Sequence, residues 1–209
     1  MKGSACLLVL LLGGLGCARV YRPVALAASP ARTPGPELCG HLEPQPWGDN
    51  SRYEERAQKA HLKVLVLTLD NPSATEVEVV SLDVPFDVEV LTPAAALKLV
   101  KQWPLAYASY VAVPAMAIVL SHGYEGLVFG ALAMVGVLVG LPNALVASHS
   151  NDRLGAFFQE QAWSPGPLGP GQTRRGLLFF RSAGPSAPFS LRIRFREGGA
   201  EHQLELPAR

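Results

Sequence analysis

Two pairs of side chains in this chain have the types and spacing for chemistry. Cys39 and His41 stand two residues apart, a thiol beside an imidazole that could activate it as a nucleophile. His149 and Asp152 stand three apart, a nitrogen and a carboxylate of the kind that ligate metal ions. Neither pair is completed. Cys39-Gly40-His41 lies in a proline-rich stretch without a regular period, and a nucleophile works only when a rigid scaffold holds it in place. His149 and Asp152 flank a helix start with no third ligand nearby in sequence. Gly-x-Ser-x-Gly, His-Glu-x-x-His and phosphate-binding glycine loops do not occur. The sequence therefore reads as a protein that is not an enzyme, with no catalytic residue, no metal site and no cofactor. Its 18 Lys and Arg against 17 Asp and Glu leave no basic excess to hold a phosphate backbone, which argues against nucleic acid as a partner.

The elements that would position any site are strands. Residues 61–70 carry apolar or branched side chains on both faces, which predicts a central strand, and Asn71-Pro72-Ser73 ends it as a turn. Glu76-Val77-Glu78-Val79 alternates and continues to Leu82, predicting a strand with one face in water. After Pro85, residues 86–90 alternate again. Leu177-Leu178-Phe179-Phe180 follows a Gly/Pro-rich stretch at 164–171. The cleanest alternation is at 189–196, with Phe189, Leu191, Ile193 and Phe195 on one face and Arg192, Arg194 and Arg196 on the other. Gly198-Gly199 predicts a hairpin turn and 202–206 its return strand. The arginine row reads as a solvated face, or as a site for an acidic partner or lipid headgroups. Neither half has enough strands to enclose a core, so the two are expected to share one. The predicted fold class is α+β, a small antiparallel β-sandwich interrupted by an apolar helical hairpin.

That hairpin occupies the long uncharged middle of the chain. Thr92-Pro93 is a helix start, and residues 94–102 are good helix formers. Residues 105–120 and 126–147 then form two apolar stretches around the polar turn Ser121-His122-Gly123-Tyr124-Glu125. About 20 apolar residues suffice for a helix to cross a bilayer, which predicts two spans with both ends on the side of the β-domain, a helical hairpin buried against protein being the alternative. Gly126 and Gly130, then Gly136 and Gly140, are four apart, a spacing that lets helix backbones approach closely in lipid. Ser150-Asn151-Asp152 reads as the cap of a further helix at 153–162, with Leu154, Phe157, Phe158 and Ala162 as its apolar stripe.

The amino terminus reads as a targeting segment. Lys2 precedes the apolar run at 7–12, and Gly13-Gly14-Leu15-Gly16 leads into Cys17. This arrangement resembles the bacterial lipoprotein signal, and the resemblance implies lipidation of Cys17. A Cys17–Cys39 disulfide is the competing expectation, and Ala25-Leu26-Ala27 offers a different cleavage point. The Asn71-Pro72 turn and the Pro170–Phe180 approach resemble small immunoglobulin-like domains of bacterial envelope lipoproteins, which implies an immunoglobulin-like sandwich. The expected organisation is a signal peptide at 1–16 and a lipid-anchored tether at 17–60, within which Ser51 caps a short helix. The half-sandwiches at 61–92 and 150–206 flank the hairpin at 93–149. The function expected from this layout is a lipid-anchored envelope scaffold with its β-domain in the periplasm. Membrane lipid and an envelope protein, or a second copy, would be its partners. A glycine-packed oligomeric pore is the alternative.

Overall fold

The computed structural model describes residues 17–26, 38–107, 124–182 and 189–208, with the backbone alone for 124–133, 135, 136 and 208. The chain divides into two compact units, one of residues 1–21 and 101–154, the other of 22–100 and 155–209.

Among the described residues the second unit holds eight strands: β1 Cys39–Pro44, β2 Leu62–Asp70, β3 Val77–Asp83, β4 Val88–Leu91, β5 Gly166–Leu168, β6 Thr173–Ser182, β7 Phe189–Glu197 and β8 Ala200–Ala208. They form two four-stranded antiparallel sheets, β1-β2-β6-β4 and β5-β3-β7-β8. With helices α1 Ser51–Lys59, α2 Pro93–Val100 and α3 Tyr124–Glu160, the fold is α+β. Each sheet takes strands from both sides of the helical insert. One apolar cluster joins them, with Leu65, Leu67 and Leu69 of β2 and Phe180 of β6 meeting Val77 of β3 and Leu191 and Ile193 of β7. Burial of each such side chain contributes roughly 1.5–3 kcal/mol.

The sheets differ in what covers their outer faces, and the difference follows from their sequences. In β2 every residue from Val64 to Asp70 is buried. The strand lies between β1 and β6, and α1 packs against it with Tyr53 and Ala57 buried. Phe179 of β6 packs against Phe158, at the end of α3, with ring centroids 4.7 Å apart and the planes tilted by 52°, and Trp47 meets Phe158 edge-on at 6.4 Å. A strand covered on both faces has no polar side, hence the unbroken apolar run. In β7 the pattern is strictly alternate, because that sheet has a core face and a water face.

Several expectations change. Within 17–60, read as an extended tether, residues 39–44 form β1 in full register with β2, from Cys39 opposite Asp70 to Pro44 opposite Leu65. The residue before α1 is Asn50 and not Ser51, and its side chain accepts from Arg22 N while donating to Arg22 O and Trp47 O. Thr92 does cap α2, its hydroxyl accepting from Ala95 N at 3.2 Å. The strand expected at 86–90 begins only at Val88, with Phe86 wholly exposed in the preceding turn.

The larger correction concerns the insert. The helix expected at 153–162 is not separate: α3 runs unbroken from Tyr124 to Glu160, through Pro142 and Ser150-Asn151-Asp152. Among the described residues, no helix is long and apolar enough to cross a membrane. This overturns the transmembrane hairpin, the membrane-anchored envelope location drawn from it, and both functions built on it, scaffold and pore. The physical reason lies in the helix itself. Pro142 removes the hydrogen bond to the carbonyl four residues back, and Asn143 donates to Val139 O at 2.8 Å. From Ser148 to Arg153 the helix is polar, with Ser150 and Asn151 buried. The apolar run of α3 therefore gives way to polar, hydrogen-bonded residues within the same helix. Of the first expected span, 105–120, only residues 105–107 are described; residues 108–120, the leader at 1–16 and the cleavage point at Ala27 lie outside the described residues.

In the first unit α3 works as a hydrogen-bonding partner for two other segments. Asn151 accepts from Gln102 N and donates to Gln102 O, both at 2.8 Å, pairing with that peptide as a strand neighbour would. The Gln102 side chain treats Arg19 the same way, donating to its O at 2.7 Å and accepting from its N at 3.3 Å and from the Tyr107 hydroxyl at 3.1 Å. Asn143 accepts from Ala18 N at 2.8 Å. Gln102 is fully buried, so each lost bond strands a polar group away from water. Gln102→Leu is expected to release residues 17–21 and to speed tryptic cleavage after Arg19 more than tenfold. An unchanged rate would show that this clamp does not hold the segment.

Candidate functional site: a charged sheet face with an open edge

The outward face of β5-β3-β7-β8 carries rows of charged side chains that face water. β7 supplies Arg192, Arg194 and Arg196, while Phe189, Leu191, Ile193 and Phe195 turn inward and are buried. β3 supplies carboxylates on one side of that row. Its register against β7 shifts between Val79 and Ser81, so Val80 is an extra residue. The shift keeps Val77, Val79 and Leu82 on the core side, and it sets Asp83 opposite Arg192 and Glu78 opposite Arg196. β8 supplies Glu201 opposite Arg196 and Glu205 opposite Arg192 on the other side.

The pairs are specific. Arg194 Nε lies 2.8 Å from Asp83 Oδ2, and its Nη2 donates to Asp83 Oδ1 at 3.3 Å. Its Nη1 lies 3.8 Å from Glu201 Oε1, and Arg196 Nη1 lies 3.3 Å from Glu78 Oε2. The hydrogen bond and charge of Asp83 raise the Arg194 pKa further. Exposed ion pairs of this kind add little to stability, but they fix register and are screened by salt. Arg192 and Glu205 make no ion pair among the described residues. The arginine row is thus largely matched by its own sheet, and charge alternates strand by strand: acidic, basic, acidic.

The face is anchored at one end by the β2–β3 turn. The Thr75 hydroxyl donates to Glu197 at the end of β7, and this bond, followed by one from Ser73, holds the Glu197 carboxyl below the usual glutamate range. A group with a lowered folded pKa stabilises above its unfolded value, and that contribution disappears as pH falls through the folded one. Thr75→Val is therefore expected to flatten the loss of stability between about pH 5 and pH 3. Urea midpoints across that range test this, and identical acid limbs would contradict it.

The β8 side of the sheet is an edge. Among the described residues β8 pairs only with β7, and Glu201, Gln203 and Glu205 are exposed. Gly198 and Gly199, at φ 57° and 88°, close the β7–β8 hairpin with a two-residue turn. The pair flanking such a turn is hydrogen-bonded, so strict alternation points the N–H and C=O of Glu201, Gln203 and Glu205 away from β7. Pro207 falls next in that outward series, the position where a proline costs no ladder bond.

The residues singled out by sequence are placed as follows. Cys39 and His41 share one face of β1, and Cys39 Sγ lies 3.8 Å from Asp70 O. Cys17 is exposed and Cys39 half-buried, and no disulfide joins the two. His149 and Asp152 are exposed on α3. Among the described residues no group of three or more His, Cys, Asp or Glu is placed to share a metal ion. Gly126, Gly130, Gly136 and Gly140 all lie in α3, and Gly140 is buried. On the same helix Met134, Leu138, Leu141 and Leu145 are exposed. Sequence reasoning found the arginine row but not its partners; the alternating Glu and Asp of β3 and β8 were the available signal. Comparisons with family models, with curated proteins and with solved structures find no match.

Proposed function

We propose that the β-rich unit is an immunoglobulin-like recognition module that binds another protein across the outer face of β5-β3-β7-β8. The observation that carries this reading is the asymmetry of the two sheets. One has its outer face covered by helices, and the other presents a rigid, internally paired charged face and a free edge to solvent. Strand order supports it. Taking the first four strands as A to D and the last three as E to G, the sheets read A-B-E-D and C-F-G, the immunoglobulin arrangement, with β5 added beside C. Fold alone does not name a function, so the face must be tested directly.

The module acts by recognition and not by bond-making. Its matched charges would be re-paired across an interface, giving specificity and salt-sensitive association more than raw affinity. A photoreactive residue at position 192, on the open face, is expected to yield one adduct of defined mass with a protein from the native source. The same residue at position 90, on the other sheet, should yield none. Equal adducts from both positions, or none from either, would sink the reading.

A further inference from the structure

The β8 edge narrows what such a partner would be. We propose that β8 receives an extended segment of the partner as a fifth strand, and that this segment carries basic residues at alternate positions. The proposal rests on the recognition-module reading and adds to it the mode of binding and the chemistry of the ligand.

Three residues make the edge usable. Glu201, Gln203 and Glu205 are exposed and each turns one N–H and one C=O outward, so an added strand gains a ladder without displacing any existing bond. The backbone supplies affinity whatever the sequence, and the side chains then choose the occupant. Glu201, Gln203 and Glu205 share the outer face, since alternate residues of a strand point the same way. Across this sheet the order is acidic on β3, basic on β7 and acidic on β8. A further strand continues the alternation only if its outward residues are basic. Glu201 is 3.8 Å from Arg194 and Glu205 makes no ion pair among the described residues, so both have capacity to accept one.

The same side chains disfavour a second copy of this chain. Antiparallel pairing of β8 with itself about Gln203 would set Glu201 opposite Glu205 twice, and like charges directly opposite are destabilising. Pro207 limits pairing at the far end because it offers no N–H. The edge is therefore built against self-association and open to a basic strand.

The test uses the full chain and three decapeptides: alternating lysine and valine, alternating glutamate and valine, and a scrambled lysine–valine sequence. The alternating lysine peptide is expected to bind at least tenfold more tightly than the others. It should slow amide exchange at Glu201, Gln203 and Glu205 and weaken with added salt. Gln203→Pro removes one outward N–H without touching the β7 ladder, and should reduce affinity about tenfold. Because that variant could disturb β8, the double change Glu201→Lys with Glu205→Lys gives a second readout: it should prefer the glutamate peptide, a reversal that misfolding cannot produce. Equal binding of all peptides, protection elsewhere than β8, or no reversal would overturn strand addition. Dimerisation of the full chain through slowed exchange at β8, with no peptide bound, would overturn it in favour of a second copy. If strand addition fails while position 192 still yields its adduct, the recognition module stands alone; if both fail, both readings fall.

Discussion

Asn71→Ala is expected to lower the unfolding free energy by about 3 kcal/mol, more than any other polar substitution in the strand unit. Asn71 is fully buried at the end of β2. Its Nδ2 donates to Thr75 O and Leu168 O at 2.8 Å and to Gly169 O at 3.1 Å, while its Oδ1 accepts from Ser73 N and Ser73 Oγ. Its own peptide donates to Gln172 O and accepts from Gly171 N. One side chain thus ties the β2–β3 turn to the connector around β5. Alanine leaves the buried Leu168 carbonyl and the part-buried carbonyls of Thr75 and Gly169 without that donor, the costly direction of hydrogen-bond loss. Asn71→Asp should be worse at neutral pH, since a carboxylate would face those carbonyls, and should recover in acid as it protonates. Urea unfolding at two pH values measures both. A loss under about 1 kcal/mol would mean the carbonyls find other donors.

Gly176→Ala is the second large effect, for a steric reason. A Cβ on Gly176 would lie 2.7 Å from Trp163 Cα, 2.8 Å from its Cβ and 2.9 Å from its N. Two hydrogen bonds hold that backbone in place, Trp163 N to Leu177 O at 2.9 Å and Leu177 N to Gln161 O at 2.6 Å. Neither side can yield without breaking the β6 ladder or those bonds, so we expect a cost of about 2–3 kcal/mol. Gly40→Ala is the control. Its nearest neighbours, at 2.8 and 2.9 Å, are the methyl ends of Leu69 and Leu206, which can rotate away. The gap between the two unfolding energies reads the rigidity of the Trp163 backbone, and equal losses would refute the distinction.

The sequence signalled β2 and β7 because their periods are local properties of the chain. The unbroken apolar run of β2 and the alternation of β7 reflect what covers each face, and both strands form where expected. The elements it concealed depend on distant partners. Cys39-Gly40-His41-Leu42-Glu43-Pro44 has weak strand propensity and becomes β1 only through pairing with β2. Ser150-Asn151-Asp152 looks like a cap, since such side chains compete with helical hydrogen bonds, until Gln102 engages Asn151 from 49 residues away. The charged face was half legible for the same reason. The arginines follow from β7 alone, whereas Asp83 reaches Arg194 through a bulge at Val80 that no local pattern announced.

The interleaving of strands sets the order in which the chain can assemble as it leaves the ribosome. β1 and β2 can pair early, but among the described residues β4 finds its neighbour only in β6, and β3 only in β5 and β7. Residues up to about 166 must therefore emerge before either strand has anything to dock against. Closing β2 onto β6 joins Leu65 to Leu178 across more than a hundred residues, a slow step in any refolding experiment. Throughout that interval the apolar edge of β2 that β6 will cover stays unpaired, so a nascent polypeptide of this topology carries an aggregation-prone edge until β6 has been made.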